Sequence, residues 1–357
     1  MRSTGWRDRP RVTLAEPGLP ALKLSVLDQS PIRAGGTPAQ AVAETLALAR
    51  AADRLGYRRY WLAEHHSSEG LAGTAPEILI ARIAAETRDI RVGSGGVMLS
   101  HYAPLKVAET FRMLETLYPG RIDLGIGRAP GSDQRTAGAL QHGPGALGIE
   151  HFPAQIAELM AFLADELPAN HPFAGVHAMP TGEGIPEFWL LGSSDQSAAY
   201  AAYFGCAFSF AHFITDEGGT AVMDAYRRHF RPQGRLAAPQ GSIGVFVLCA
   251  ESETAAQRLA ASRDLWRLRL DQGILGPIPP VEEALAYAYS EAELARIAYN
   301  RRRQVVGTPA QVRERLIALA ASYEVDELVV VSICFDFVAR MRSYELLAEA
   351  FELPGRA

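Results

Sequence analysis

Glu64-His65-His66 sets an acid and two imidazoles directly after the apolar run Tyr60-Trp61-Leu62-Ala63. His and Glu are common metal ligands. Neighbours on an extended strand, however, point to opposite faces, so at most one of the two histidines looks into a shared site unless the chain has already turned. A metal-dependent barrel of the amidohydrolase kind wants two inward histidines separated by one residue, and the chain has no such pair. No metal is expected; packing of both histidines is the plain alternative.

Gly192-Ser193-Ser194-Asp195-Gln196-Ser197 carries a different chemistry. A strand that turns into a helix through a glycine and several hydroxyls aims backbone N–H groups and the positive end of the helix dipole at one point, where a phosphate can sit. Ser194 or Asp195 can equally be a plain helix cap. Arg128 tips the balance, because it leaves the end of the preceding strand and its guanidinium can close over the same phosphate. Gly192, Ser193, Ser194, Ser197 and Arg128 are therefore candidate phosphate ligands of a phosphorylated cofactor.

Ser94-Gly95-Gly96 interrupts an otherwise apolar strand. Two glycines are costly there. They mark either a bulge or a place where a flat ring lies directly on backbone. Gly125-Ile126-Gly127 looks like the start of a dinucleotide fingerprint, but Pro130 stands where the third glycine belongs and no helix opens there.

These residues need a scaffold that brings them together. Strands are expected over 22–27, 59–63, 90–98, 122–126, 188–191, 207–211, 242–249 and 327–333. Helices alternate with them over 38–55, 76–87, 105–118, 153–167, 196–204, 220–230, 309–322 and 337–353, with one long helical region over 254–304 broken at 276–280. Eight strands alternating with helices, with polar residues at many strand ends, argue for a (β/α)8 TIM barrel with insertions. An open doubly wound sheet would gather its ligand contacts at one switch point. The Gly-rich stretch 129–148 is too long for an ordinary connection, and it and 271–280 are the candidate lids where a site has to exclude water. Residues 1–21 read as a loose extension and 22–357 as a single domain.

Composition narrows the function. The 357 residues carry a net charge of −5, which offers no basic excess to nucleic acid or to an anionic membrane. No apolar run reaches the roughly 20 residues that span a bilayer. Cys206, Cys249 and Cys334 are far apart and odd in number, which fits reduced thiols in a cytoplasmic protein. Lys23 and Lys106 are the only lysines, so Schiff-base chemistry is not expected and a phosphate would fall to arginine or backbone.

Four segments in this order, 60–66, 91–99, 119–128 and 190–194, resemble the bacterial luciferase-like flavin monooxygenases. The resemblance runs from about residue 22 to 353. It implies a TIM barrel, FMN at the C-terminal face of the strands, and a homodimer through the early helices. By motif position His65 resembles the family's active-site histidine, with Glu64 beside it as the second candidate catalytic residue. Gly95-Gly96 falls where the family often has a non-proline cis peptide under the flavin, and Arg128 with the 192–197 turn resembles its phosphate site.

Gly127 stands where luciferase itself has a reactive cysteine, so luminescence is not implied. The expected activity is oxidation of a small organic substrate by reduced FMN and dioxygen, with a separate flavin reductase as partner. His65, given an ordinary near-neutral pKa, would act as acid or base. A deazaflavin-dependent dehydrogenase on the same barrel and a non-catalytic flavin-binding protein are the alternatives.

Overall fold

The computed structural model describes residues 22–128, 131, 133–141, 148–233 and 236–356. Nine strands occur among them: β1 (Lys23–Asp28), β2 (Arg59–Leu62), β3 (Arg91–Met98), β4 (Ile122–Gly127), β5 (Glu187–Gly192), β6 (Ala207–Ala211), β7 (Gly241–Cys249), β8 (Gln304–Gly307) and β9 (Glu327–Val331). From β1 to β7 each strand lies parallel to the next in chain order. β9 then pairs with both β7 and β1 and closes an eight-stranded ring. The fold is the (β/α)8 barrel expected from the sequence.

β8 is a correction. The helical region expected to run to residue 304 divides into Glu253–Asp271, Val281–Ala286 and Glu291–Arg301, and the chain is extended from Gln304. β6 pairs with β7 only as far as Gly244, and β8 pairs with it from Phe246 to Cys249. The edge that β6 leaves open needs hydrogen-bond partners, and four residues supply them. So short a strand leaves no periodic signature.

Helix ends follow local chemistry. Thr37 and Gln40 form a capping box ahead of helix Pro38–Leu55, and Gly56, at φ 86°, ends it by returning its N–H to Ala52 and Asp53. Apolar faces of the helices bury against the outside of the barrel, around Leu48, Phe111, Ile156 and Leu347.

Alternation along the strands fills the barrel interior in layers. The bottom layer is ionic: Arg59 Nε lies 2.7 Å from Glu327 Oε1, and its Nη1 lies 3.0 Å from Asp123 Oδ2 and 2.9 Å from Glu187 Oε1. Burial disfavours the charge on Arg59, but these three carboxylates outweigh it and hold the guanidinium above its ordinary range. Above it Trp61 and Trp189 meet edge to face, ring centroids 5.2 Å apart. The next inward positions include Ala63 and Gly127, whose small size leaves open space over the tryptophans.

Candidate active site

That space is a cavity of about 360 Å³ at the C-terminal ends of the strands, within the size range of small-molecule sites. The structure brings all nine residues singled out from the sequence to its wall: Glu64, His65, Gly95, Gly96, Arg128, Gly192, Ser193, Ser194 and Ser197.

Gly127 pairs in register with Leu191, so Arg128 and Gly192 leave the rim side by side. Arg128 is half-buried and makes no ion pair or hydrogen bond among the described residues. Ser194 is the N-cap of helix Asp195–Phe204, its Oγ accepting the Ser197 N–H at 3.3 Å. Capping and anion binding are compatible, since the positive end of that helix still faces the cavity. A Cβ on Gly192 would lie 2.3 Å from Ser197 Oγ, so glycine is what lets the strand end fold against its own helix.

The Gly95–Gly96 peptide is cis. The β3–β4 register also shifts here, between Gly95 and Val97, so the bulge reading of the glycine pair is correct as well. A Cβ on Gly96 would lie 2.7 Å from Gly125 O and 2.9 Å from Leu191 Cδ1. The barrel itself therefore excludes a side chain at Gly96, before any bound ring would.

His65 is tied down by its backbone, whose N–H donates to Gly73 O at 2.8 Å. Its Nδ1 is buried without a hydrogen-bond partner among the described residues. Burial, and secondarily the neighbouring His66, lowers its pKa from the ordinary 6.5 to about 4. This corrects the near-neutral value expected from the sequence: His65 is a neutral imidazole at neutral pH.

β2 ends at Leu62, so strand alternation no longer governs the two histidines. His66 Nε2 lies 2.7 Å from Glu64 Oε1, which also accepts the Tyr102 hydroxyl at 2.7 Å, while Glu64 Oε2 accepts the Met98 N–H at 3.0 Å. The Glu64 carboxylate thus stitches the end of β2 to the end of β3. Among the described residues, no group of three or more His, Cys, Asp or Glu is arranged to hold a metal ion.

A second cavity, of about 410 Å³, adjoins the first and extends towards helix Glu253–Asp271. Gln29, His65, Phe213 and Ile214 line both. Sequence reading missed Gln29, Met98, Phe213 and Ile214, although each sits at or just beyond the C-terminal end of a strand, which is where barrel sites are built.

Of the two lid candidates, the first contains a short helix, Gln134–Leu140, capped by Asp133. Residues 129, 130, 132 and 142–147 of that stretch, like the 1–21 extension, lie outside the described residues. The second is pinned across the rim. Ile278 N donates to Ile32 O at 2.8 Å, Ala34 N to Ile278 O at 2.9 Å, and Trp266 Nε1 to Gly276 O at 2.9 Å.

Residues 22–325 match a family model described as luciferase-like monooxygenase. The N-acetyl-S-alkylcysteine monooxygenase of Bacillus subtilis (strain 168) is 37% identical over 334 residues, covering 92% of this chain and 98% of that protein. The crystal structure of apo-MsnO8 is 44% identical with a TM-score of 0.87, covering 94% of this chain and 100% of that one.

Two more distant structures share the fold alone. The oxygenating constituent of 3,6-diketocamphane monooxygenase from Pseudomonas putida, solved with FMN, has a TM-score of 0.68 at 18% identity and covers 92% of this chain and 97% of that one. An F420-dependent secondary alcohol dehydrogenase has a TM-score of 0.69 at 11% identity and covers 92% and 99%.

Proposed function

Since the chain belongs to the luciferase-like monooxygenase family, we propose that it uses reduced FMN and dioxygen to oxidise a small organic substrate, the reduced FMN coming from a separate flavin reductase. One observation carries the reading. Arg128, unpaired among the described residues, and the N-terminus of helix Asp195–Phe204 flank one side of a cavity whose wall also includes Gly95, Gly96 and His65. A phosphate fits between arginine and helix end, and a planar ring fits over the glycines. When bound, the flavin supplies the reducing electrons and the site at which dioxygen is activated.

The chain's own residues do the rest. Arg128, Ser193, Ser194 and the helix N-terminus bind and orient the phosphate. His65, neutral at neutral pH, is the imidazole of the cavity wall and serves there as a hydrogen-bonding or proton-accepting group. Glu64 acts by holding His66, Tyr102 and the Met98 backbone in place. The pinned 271–280 stretch brings Leu275 to the wall of the adjoining cavity beside the apolar Phe213 and Ile214.

A separate reductase is favoured because no strand is followed by a complete glycine fingerprint for a nicotinamide dinucleotide. A homodimer is supported by Ile78, Met113 and Leu117, exposed apolar side chains on helices Pro76–Glu86 and Pro104–Leu117. Three buried free cysteines are consistent with a reducing cytoplasm.

Titration with FMN in both redox states and with deazaflavin tests the cofactor; tighter binding of deazaflavin would favour the dehydrogenase found on the same fold. Given FMN, NADH and dioxygen, the protein alone should consume negligible NADH, and an added unrelated flavin reductase should start substrate oxidation across a membrane permeable to FMN. Rapid NADH oxidation by the protein alone would overturn the two-component reading.

A further inference from the structure

Arg263 lies on helix Glu253–Asp271, far in sequence from every motif above, and its side chain reaches the second cavity. The residue is only 6% exposed. Its Nε and Nη1 are buried with no hydrogen-bond partner among the described residues, and its guanidinium carbon sits 3.5 Å from the centroid of the Phe246 ring. A buried cation normally has a carboxylate.

The two nearby carboxylates are already committed. Asp264 Oδ2 takes Arg301 Nε at 2.7 Å. Asp271 is bound by Arg267 at 2.8 Å, Arg296 at 2.6 Å and Asn300 at 3.0 Å. Asp133, which also reaches this cavity, accepts the Thr136 N–H and hydroxyl, each at 2.9 Å. The remaining neighbours add positive charge: Arg267 and Arg303 press on Arg263 electrostatically, and each has a buried Nε without a partner. Burial pushes the Arg263 guanidinium down to about 9; Asp264 and, more weakly, Asp271 oppose the shift from a distance, and Arg267 and Arg303 add to it.

We propose that this cavity is the substrate pocket and that Arg263 binds an oxyanion on the substrate, so that the enzyme oxidises small organic acids with an apolar body. This rests on the monooxygenase reading of the adjoining site. Arg263 marks the anion end. Trp266, Leu270 and Phe246 give the apolar wall, and His65 stands where this cavity joins the first. An arriving anion supplies the charge and the hydrogen-bond acceptors that the buried guanidinium lacks, whereas a neutral analogue leaves them unpaired.

The test compares 4-phenylbutyrate with 4-phenylbutyramide, titrated calorimetrically into the purified protein with and without FMN. The acid should bind about tenfold tighter or better, and Arg263→Met should abolish that preference. A second measurement needs no ligand. If Arg263 serves an absent anion, Arg263→Met, which removes an unpaired buried charge, should melt at or above the wild-type temperature. A variant that melts lower and keeps the acid preference would overturn the proposal, as would equal binding of acid and amide by the wild type.

If Arg263→Met fails to fold, Arg263→Lys carries the test. It should keep a weakened preference for the acid, and an undiminished one would count against Arg263. An anionic sulfonate, 3-phenylpropanesulfonate, distinguishes planar from tetrahedral oxyanions. FMN binding without acid preference defeats this proposal alone; acid preference without FMN binding defeats the flavin reading and, with it, the oxidation of the acid, leaving Arg263 as an anion-binding residue only.

Discussion

Oε1 of Glu64 lies 2.7 Å from Nε2 of His66, so the acid of the Glu64-His65-His66 run serves the second histidine, and Nδ1 of His65 is left without a partner among the described residues. The two imidazoles therefore have different work, although they are neighbours in sequence.

Glu64→Gln keeps the shape of the side chain but turns one oxygen into a donor facing the Met98 N–H or the Tyr102 hydroxyl. Stability should fall by about 1.5–3 kcal/mol, the scale for hydrogen bonds to a charged group. Denaturant unfolding measures it. Unchanged stability with lost turnover would make Glu64 a reacting group instead of a positioning one.

Arg128→Ala should weaken FMN binding by about 1.5–3 kcal/mol. Riboflavin, which lacks the phosphate, should bind the variant and the wild type alike. Fluorescence quenching of both flavins gives the comparison, and equal losses would place Arg128 away from the phosphate.

His65 has a folded pKa of about 4 against the ordinary 6.5. On acidification the unfolded chain takes the proton first, so the contribution of this group to stability is complete above the unfolded pKa and is lost as pH falls towards the folded one. Between about pH 7 and pH 5 the loss should be about 2 kcal/mol. Comparing unfolding free energies of wild type and His65→Gln at those two pH values isolates it; parallel pH profiles would mean that His65 takes up its proton in the fold as readily as in the unfolded chain.

Gly96→Val should damage the barrel more than it selectively weakens the flavin, because the first atoms its Cβ meets are Gly125 O and Leu191 Cδ1. Thermal melting without ligand should show a loss of several °C or failure to fold, consistent with about 1–3 kcal/mol for overpacking. Normal melting together with lost FMN affinity would restore the reading in which the glycine makes room for the ring alone.

The barrel was legible in the sequence because its cause is local and repeated. Apolar strands, capped helices and polar strand ends recur, and only a closed ring puts 64–65, 95–96, 128 and 192–197 on one rim. The motif residues that meet at the first cavity could be read for the same reason, since each lies within, at or just after the C-terminal half of a strand.

Tertiary structure decided the rest. β8 is extended because of the β7 edge it covers, a reason absent from its own four residues. The pKa of His65 follows from burial among residues brought from several strands. Arg263 reads in sequence as one more arginine on a helix. Its significance comes from where Asp264 and Asp271 spend their charge, and only the packed structure sets that.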